Sequence, residues 1–266
     1  MNIQESVKLF ESYLDLERRP VGIKFFKDEE SYQKFEVPER ETKVTYCNSV
    51  NLASKGESIK IRKAHQGCPN GKTAFGFNPV PEPIASGKGR LSKNIYNDLE
   101  ISKSVSDEMV FLKGDQIYGM AVMPLENFKE NPDVVVIISK AYNIMRVVHG
   151  YSYFHGYSPT FKSVGLQAVC HDITTLPYET DGINVTFLCP GTRLVANWHP
   201  DELGIGMAWK YWYEVVEGIV QTANPFERNN NKRKIIKKLK KNNFNGDVIE
   251  LNKNYDTGSY TGGKVE

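Results

Sequence analysis

Cys47 and Cys68 stand 21 positions apart and Cys170 and Cys189 stand 19 apart. The second member of each pair opens a similar turn, Cys68-Pro69-Asn70-Gly71-Lys72 in one half of the chain and Cys189-Pro190-Gly191-Thr192-Arg193 in the other. Both turns run into a short apolar stretch, Ala74-Phe75 and Leu194-Val195. The segment from Pro20 to Phe25 precedes the first pair much as the segment from Pro132 to Ile137 precedes the second. A pattern repeated on this scale means two copies of one supersecondary unit, neither of which buries its apolar face alone. The fold expected is α+β: two related lobes from an internal duplication, with mixed sheets and packed helices. The lobes stack about a pseudo-twofold axis, and equivalent cysteines lie on equivalent turns. The first lobe covers residues 1–125 with Cys47 and Cys68, and the second covers 126–227 with Cys170 and Cys189. A basic segment and tail, 228–266, lie outside the repeat, so removing them is expected to leave folding unchanged.

Periodicity fills in the elements. Ile3, Val7, Phe10 and Leu14 recur at helical spacing, so residues 2–16 read as an amphipathic helix closed before Arg19-Pro20. Val21 to Phe26 reads as a strand, Asp28 caps a helix to Phe35, and Val44 to Ala53 reads as a helix closed near Gly56. Thr73 to Phe77 is apolar enough for a strand. Residues 82–108 hold the turn Ser86-Gly87-Lys88-Gly89 and then a helical pattern, and 109–124 read as paired short strands broken at Gly114. The second half predicts a strand from Val134 to Ser139, a helix over 141–149, a helix ending near Cys170, strands over Asn184 to Cys189 and Thr192 to Asn197, and a long helix from Asp201 to Ala223. Met207, Trp209, Tyr211, Trp212 and Tyr213 fall on that last helix, with Met207 and Tyr211 on one buried face. Tyr151, Tyr153, Phe154, His155 and Tyr157 read as core packing, with the wall of a flat-ligand pocket as the second reading.

With 40% hydrophobic and 25% charged side chains in 266 residues, the composition is that of a globular chain with a substantial core. The start MNIQESVKLF has neither the basic nor the apolar region of an export signal, and the longest strictly apolar run, Val134 to Ile138, is too short for a bilayer. A cytoplasmic location with no membrane partner is therefore expected. The cytosol keeps thiols reduced, which leaves the four cysteines as core filler, metal ligands or reactive thiols. Residues 228–241 carry eight basic and no acidic side chains, so the net charge of +2, less those eight, leaves −6 for the rest. That segment has no interleaved aromatics and no nucleic-acid fold around it. It reads as a solvated helix or frayed tail, and nucleic acid is not an expected partner. No Walker A, H-E-x-x-H or G-x-S-x-G motif occurs, and Gly87-Lys88-Gly89 reads as a loop turn.

RPVGIKF, YCNSVNLASKGE, GCPNGKTAFGF, the SGKG turn, PDVVVIISKAYNIMR and NVTFLCPGTR followed by Asp201-Glu202 together resemble the domain-of-unknown-function family numbered 169, of archaea and bacteria. The likeness runs from about residue 15 to about residue 215, and its most specific parts are the two cysteine-glycine turns. It implies a soluble prokaryotic protein, commonly from anaerobes, and implies no activity.

The chemistry therefore rests on the thiols. Four thiolates are the ligand set of a [4Fe–4S] cluster and equally of a tetrahedral zinc site. No two of these cysteines are closer than 19 residues, so a shared site needs tertiary convergence. The turns at Gly71 and Gly191 suit a ligand presented among free backbone N–H groups, each glycine answering to a positive φ or a close backbone approach. Cys47, near a helix start, has the dipole behind a thiolate. Cys47, Cys68, Cys170 and Cys189 are the candidate metal ligands, Gly71 and Gly191 shape the cofactor-binding turns, and the cofactor expected is an iron–sulfur cluster, with zinc second. His65 and His171 offer a mixed zinc set, but adjacent residues such as Cys170 and His171 point apart, and a structural histidine is the simpler reading. The function expected is that of a redox protein, in electron transfer or in redox transformation of a small molecule. Its partner is a redox protein or that small molecule, and a homo-oligomer is open. Two rivals remain: an enzyme without metal that uses Cys68 or Cys189 as nucleophile beside Lys72 or Arg193, and a ligand-binding protein with inert cysteines. No catalytic residue is assigned.

Overall fold

The computed structural model of the chain describes residues 1–114, 116–156 and 161–244. Its six strands are β1 (Val21–Phe26), β2 (Ile59–Arg62), β3 (Gly119–Pro124), β4 (Val134–Lys140), β5 (Ile183–Thr186) and β6 (Glu202–Ala208). They form one sheet in the order β2-β3-β1-β4-β6-β5, with every neighbouring pair antiparallel. The α+β expectation holds, but the mixed sheets do not: a single antiparallel sheet runs through both halves of the chain. At its middle β1 pairs with β4, Val21 opposite Val136 and Ile23 opposite Val134. Outward from that pairing the first half lays down β3 and then β2, and the second half lays down β6 and then β5.

Helix α1 (Ile3–Tyr13) leads into the sheet from a reciprocal cap, in which Asn2 Oδ1 accepts from the Glu5 N–H at 2.8 Å and Glu5 Oε2 accepts from the Asn2 N–H at 3.0 Å. Between β1 and β2 lie α2 (Glu29–Lys34) and α3 (Tyr46–Ser54), and between β2 and β3 lie α4 (Pro69–Ala74), α5 (Glu82–Ala85), α6 (Lys88–Leu91) and α7 (Leu99–Asp107). Between β4 and β5 lie α8 (Ala141–His155), a π-helical segment over Ala168–Thr175 and α9 (Leu176–Thr180). Helix α10 (Pro190–Ala196) separates β5 from β6, and α11 (Trp212–Gln221), α12 (Ala223–Phe226) and α13 (Asn229–Lys241) follow.

Strand β4 is buried on both faces except at Lys140, which is why its sequence is a continuous apolar run. Val135, Ile137, Ile205 and Met207 face a layer built from α1, α8, α11 and α13. Val134, Val136, Ile138, Ile23 and Ile61 face the other way, toward α3, α4 and the π-helical segment. Helices α8 and α11 meet at glycines: a Cβ on Gly218 would stand 2.0 Å from the carbonyl oxygen of Gly150.

Several expected elements are corrected. Thr73 to Phe77 and Thr192 to Asn197 are not strands, because α4 and α10 start at Pro69 and Pro190. A short apolar run fits either period, and proline at the first helical position, with its fixed φ and no N–H to satisfy, decides for helix. The long helix from Asp201 divides into β6 and α11, and Met207 belongs to the strand. Glycine explains the division: a Cβ on Gly206 would stand 1.8 Å from the carbonyl oxygen of Ile173, so β6 runs in backbone contact with the π-helical segment. The helix expected to end near Cys170 begins there instead. The paired strands over 109–124 reduce to β3, and the strand from Asn184 ends at Thr186. Tyr151 packs against the core whereas Tyr153 and Phe154 are exposed, so core packing holds for Tyr151 only. Tyr157 and the tail beyond Phe244 lie outside the described residues. The basic segment is corrected most: α13 buries Lys232, Ile235 and Leu239 and packs on α1. No helix among the described residues is long and apolar enough to cross a membrane.

Candidate metal centre

Three of the four thiols sit at helix starts. Thr45 caps α3, its Oγ1 accepting from the Asn48 N–H at 3.2 Å, which leaves Cys47 in the first turn. Helices α4 and α10 are capped by cysteine itself, Cys68 and Cys189, each followed by proline and neither bonding the helix through its side chain. An N-cap position ordinarily supplies a side-chain oxygen, and its absence costs about 1 kcal/mol. Helix stability therefore does not explain why two helices in corresponding places both begin with cysteine.

The fourth thiol, Cys170, lies in the π-helical segment, a form that recurs at functional sites. Thr174 donates to the Val169 carbonyl at 2.7 Å, and its oxygen stands 2.9 Å from the Tyr46 hydroxyl of α3. Two residues here hold left-handed backbone that non-glycine residues avoid: Gln167 at φ 64, three positions before Cys170, and Leu188 at φ 65, next to Cys189. Such conformations cost on the order of 1–2 kcal/mol each and persist where surrounding structure enforces them. His171 is not a free ligand. Its Nε2 accepts from the Val110 N–H at 3.0 Å, so Nδ1 carries the proton and donates to Asp172 Oδ1 at 2.9 Å. Asp172 Oδ2 in turn accepts from the Thr186 hydroxyl at 2.9 Å. His65 Nδ1 accepts from the Arg62 N–H at 3.4 Å and lies 3.5 Å from Glu39.

Packing draws the thiols together. Helix α3 lies against α10, and the π-helical segment lies against both α3 and α4. The Thr192 hydroxyl of α10 accepts from Trp198 Nε1 at 3.0 Å and hydrogen-bonds the Cys47 sulfur. Burial pushes the Cys47 thiol up to about 12; the Thr192 bond opposes this, and negative charge on Cys189 or Cys68 adds to it. Burial also holds the Cys170 thiol well above the ordinary range, and charge on Cys47, Cys68 and Cys189 raises it further. The four cysteines of four separate elements are thus electrostatic neighbours, although 102 positions separate Cys68 from Cys170. As placed, no three His, Cys, Asp or Glu side chains among the described residues are grouped closely enough to hold one metal ion. Arg193, expected beside a nucleophilic Cys189, spends its guanidinium on the carbonyls of His199, Phe187 and Glu202.

Gln66 belongs to the site and carries no motif that announces it. Its side chain is buried, and its Oε1 accepts from the N–H groups of Tyr46 at 3.1 Å and Cys68 at 3.2 Å. Its Nε2 has no partner among the described residues. A Cβ on Gly71 would stand 3.1 Å from that amide, whereas a Cβ on Gly191 would meet only Cys189 Sγ, at 4.0 Å. The close approach expected of these glycines therefore holds at Gly71 alone, and neither has a positive φ. Thr192 and Trp198 were likewise silent in the sequence, since only packing brings their bond to Cys47.

Residues 9–218 match the family described as DUF169, an uncharacterised ArCR family, and all four cysteines fall inside that span. A curated relative, "Uncharacterized protein MJ0308" of Methanocaldococcus jannaschii, is 25% identical over 220 residues, which is 82% of this chain and 93% of that one. No solved structure matches the chain significantly.

Proposed function

The chain belongs to the DUF169 family, whose description names no activity, and from its four thiols we propose an iron–sulfur protein in which Cys47, Cys68, Cys170 and Cys189 ligate one [4Fe–4S] centre. The observation that carries this reading is the pair of cysteine N-caps, Cys68 and Cys189, standing as electrostatic neighbours of Cys47 and Cys170. The donor set fits: four thiols, each on its own element, with His171 and Asp172 already committed to each other and an unpaired amide donor next to Cys68. Around a single zinc ion with bonds near 2.3 Å, thiolate sulfurs stand roughly 3.8 Å apart. A [4Fe–4S] cluster would take one thiolate on each of its irons, so Cys47, Cys68, Cys170 and Cys189 would each hold one. Binding would require all four thiols to lose their protons, so metal uptake would release protons. When bound, such a centre supplies a one-electron couple, exchanged here with a redox partner protein or a small-molecule substrate. Free thiols fit a reducing cytoplasm.

The reading includes the internal duplication, with residues 1–125 and 126–227 as the two copies. It is supported by a sheet order that mirrors itself about the β1–β4 pairing and by cysteine-capped helices directly after β2 and β5. Each copy then supplies two ligands.

The test is anaerobic purification of the full chain with iron and sulfide analysis, followed by single Cys→Ser changes. About four iron and four sulfide per chain are expected, with loss of the whole centre in each variant. A colourless protein that stays free of iron after anaerobic reconstitution overturns the reading, and stoichiometric zinc replaces it with a zinc site.

A further inference from the structure

We propose that Gln66 sets the reduction potential of this centre by donating its side-chain N–H to a metal-bound sulfur, an inference that rests on the iron–sulfur reading above. The amide is oriented by its surroundings. Its oxygen accepts from the N–H of Tyr46, the residue before Cys47, and from the N–H of Cys68 itself. Both of these are donors, so the nitrogen must be turned away from them. That nitrogen is buried and has no acceptor among the described residues. An unpaired amide nitrogen in a dry site is costly, and folded chains rarely leave one without cause. Gly71 leaves room for it, since a Cβ there would stand 3.1 Å from Nε2. Gln66 is therefore clamped between the turns that present Cys47 and Cys68, with its amide nitrogen beside Gly71 of the Cys68 turn. Sulfur bound to iron becomes more electron-rich when the centre takes up an electron. A hydrogen bond to it strengthens on reduction and raises the potential.

The test compares the anaerobically purified full chain with its Gln66→Glu variant by redox titration. Glutamate keeps an oxygen for the Tyr46 and Cys68 N–H groups and removes the amide donor. The expected result is unchanged iron content with a reduction equilibrium constant at least tenfold lower, about 59 mV for a one-electron couple. Equal potentials at equal iron content overturn the role of Gln66 and leave the cluster standing, whereas an iron-free wild type overturns both. If the variant fails to hold iron, the wild type decides. With ¹⁵N in its glutamine side chains, the reduced protein should show a weakly coupled ¹⁵N in pulsed electron paramagnetic resonance. The other glutamine near the site, Gln167, gives its amide to the Asn70 carbonyl at 3.2 Å. Absence of the coupling overturns the proposal.

Discussion

Cys47 shows how a half-buried thiol answers to pH before any metal arrives. Burial first, and neighbouring thiolate charge after it, hold its thiol up to about 12, whereas an unfolded cysteine ionises near ~8.5. Below the unfolded value both states keep the proton and Cys47 makes no pH dependence. Above it the unfolded chain loses its proton first, so stability falls as pH rises from the unfolded value toward the folded one. The metal-free protein should therefore lose urea midpoint between about pH 8 and pH 10, and Cys47→Ser should lose less. A flat midpoint in the wild type would contradict the burial argument. The two turn glycines make a second contrast. Gly191→Ala should be tolerated, because alanine is the better helix former by about 1 kcal/mol and its Cβ meets only Cys189 Sγ, at an uncrowded 4.0 Å. Gly71→Ala presses on a buried amide and should lower the thermal midpoint of the metal-free protein. Equal midpoints in the two variants would remove the clamp on Gln66.

At the scale of elements, α13 reverses the expectation that residues beyond 228 can be dropped. Arg233, Lys234, Lys237, Lys240 and Lys241 are exposed, but Lys232 is buried, and Ile235 and Leu239 are buried in the core that α1 and α11 share. Lys238 reaches the carbonyl of Leu14 at 2.8 Å. Just before α13, Glu227 pairs with buried Arg146 at 2.9 Å and also accepts from the Tyr142 hydroxyl and from Asn231. Burying an aliphatic side chain contributes about 1.5–3 kcal/mol, so ending the chain at Arg228 should cost about 3–6 kcal/mol, read from denaturant midpoints. The crossing of α8 and α11 is as exacting. Gly218→Ala must push a helix away from the Gly150 carbonyl and should cost about 1–3 kcal/mol in the same measurement.

For the whole molecule, the central β1–β4 pairing means that neither half has a finished sheet. A chain ending at residue 125 would leave β1 as an apolar edge strand and would hold only Cys47 and Cys68. It should show no cooperative unfolding and no metal content, and a folded fragment with a well-dispersed amide spectrum would contradict this. How much was legible beforehand follows from the range of each interaction. The strands β1 and β4, the Asp28 cap of α2 and the recurrence of cysteine-proline turns were readable in the sequence, because local periodicity, capping residues and fixed backbone angles act over a few positions. The helical character of α4 and α10 was set locally by Pro69 and Pro190, though a short apolar run fits either period, whereas the strand character of β6 was decided by a contact from a distant segment, Ile173 pressing on Gly206. The electrostatic nearness of the four thiols and the orphaned amide of Gln66 were likewise decided by tertiary packing. A sequence lists which residues can donate, accept or bind, but burial and the absence of a partner belong to packing, and only the folded chain brings Cys68 near Cys170 and leaves Gln66 Nε2 without an acceptor among the described residues.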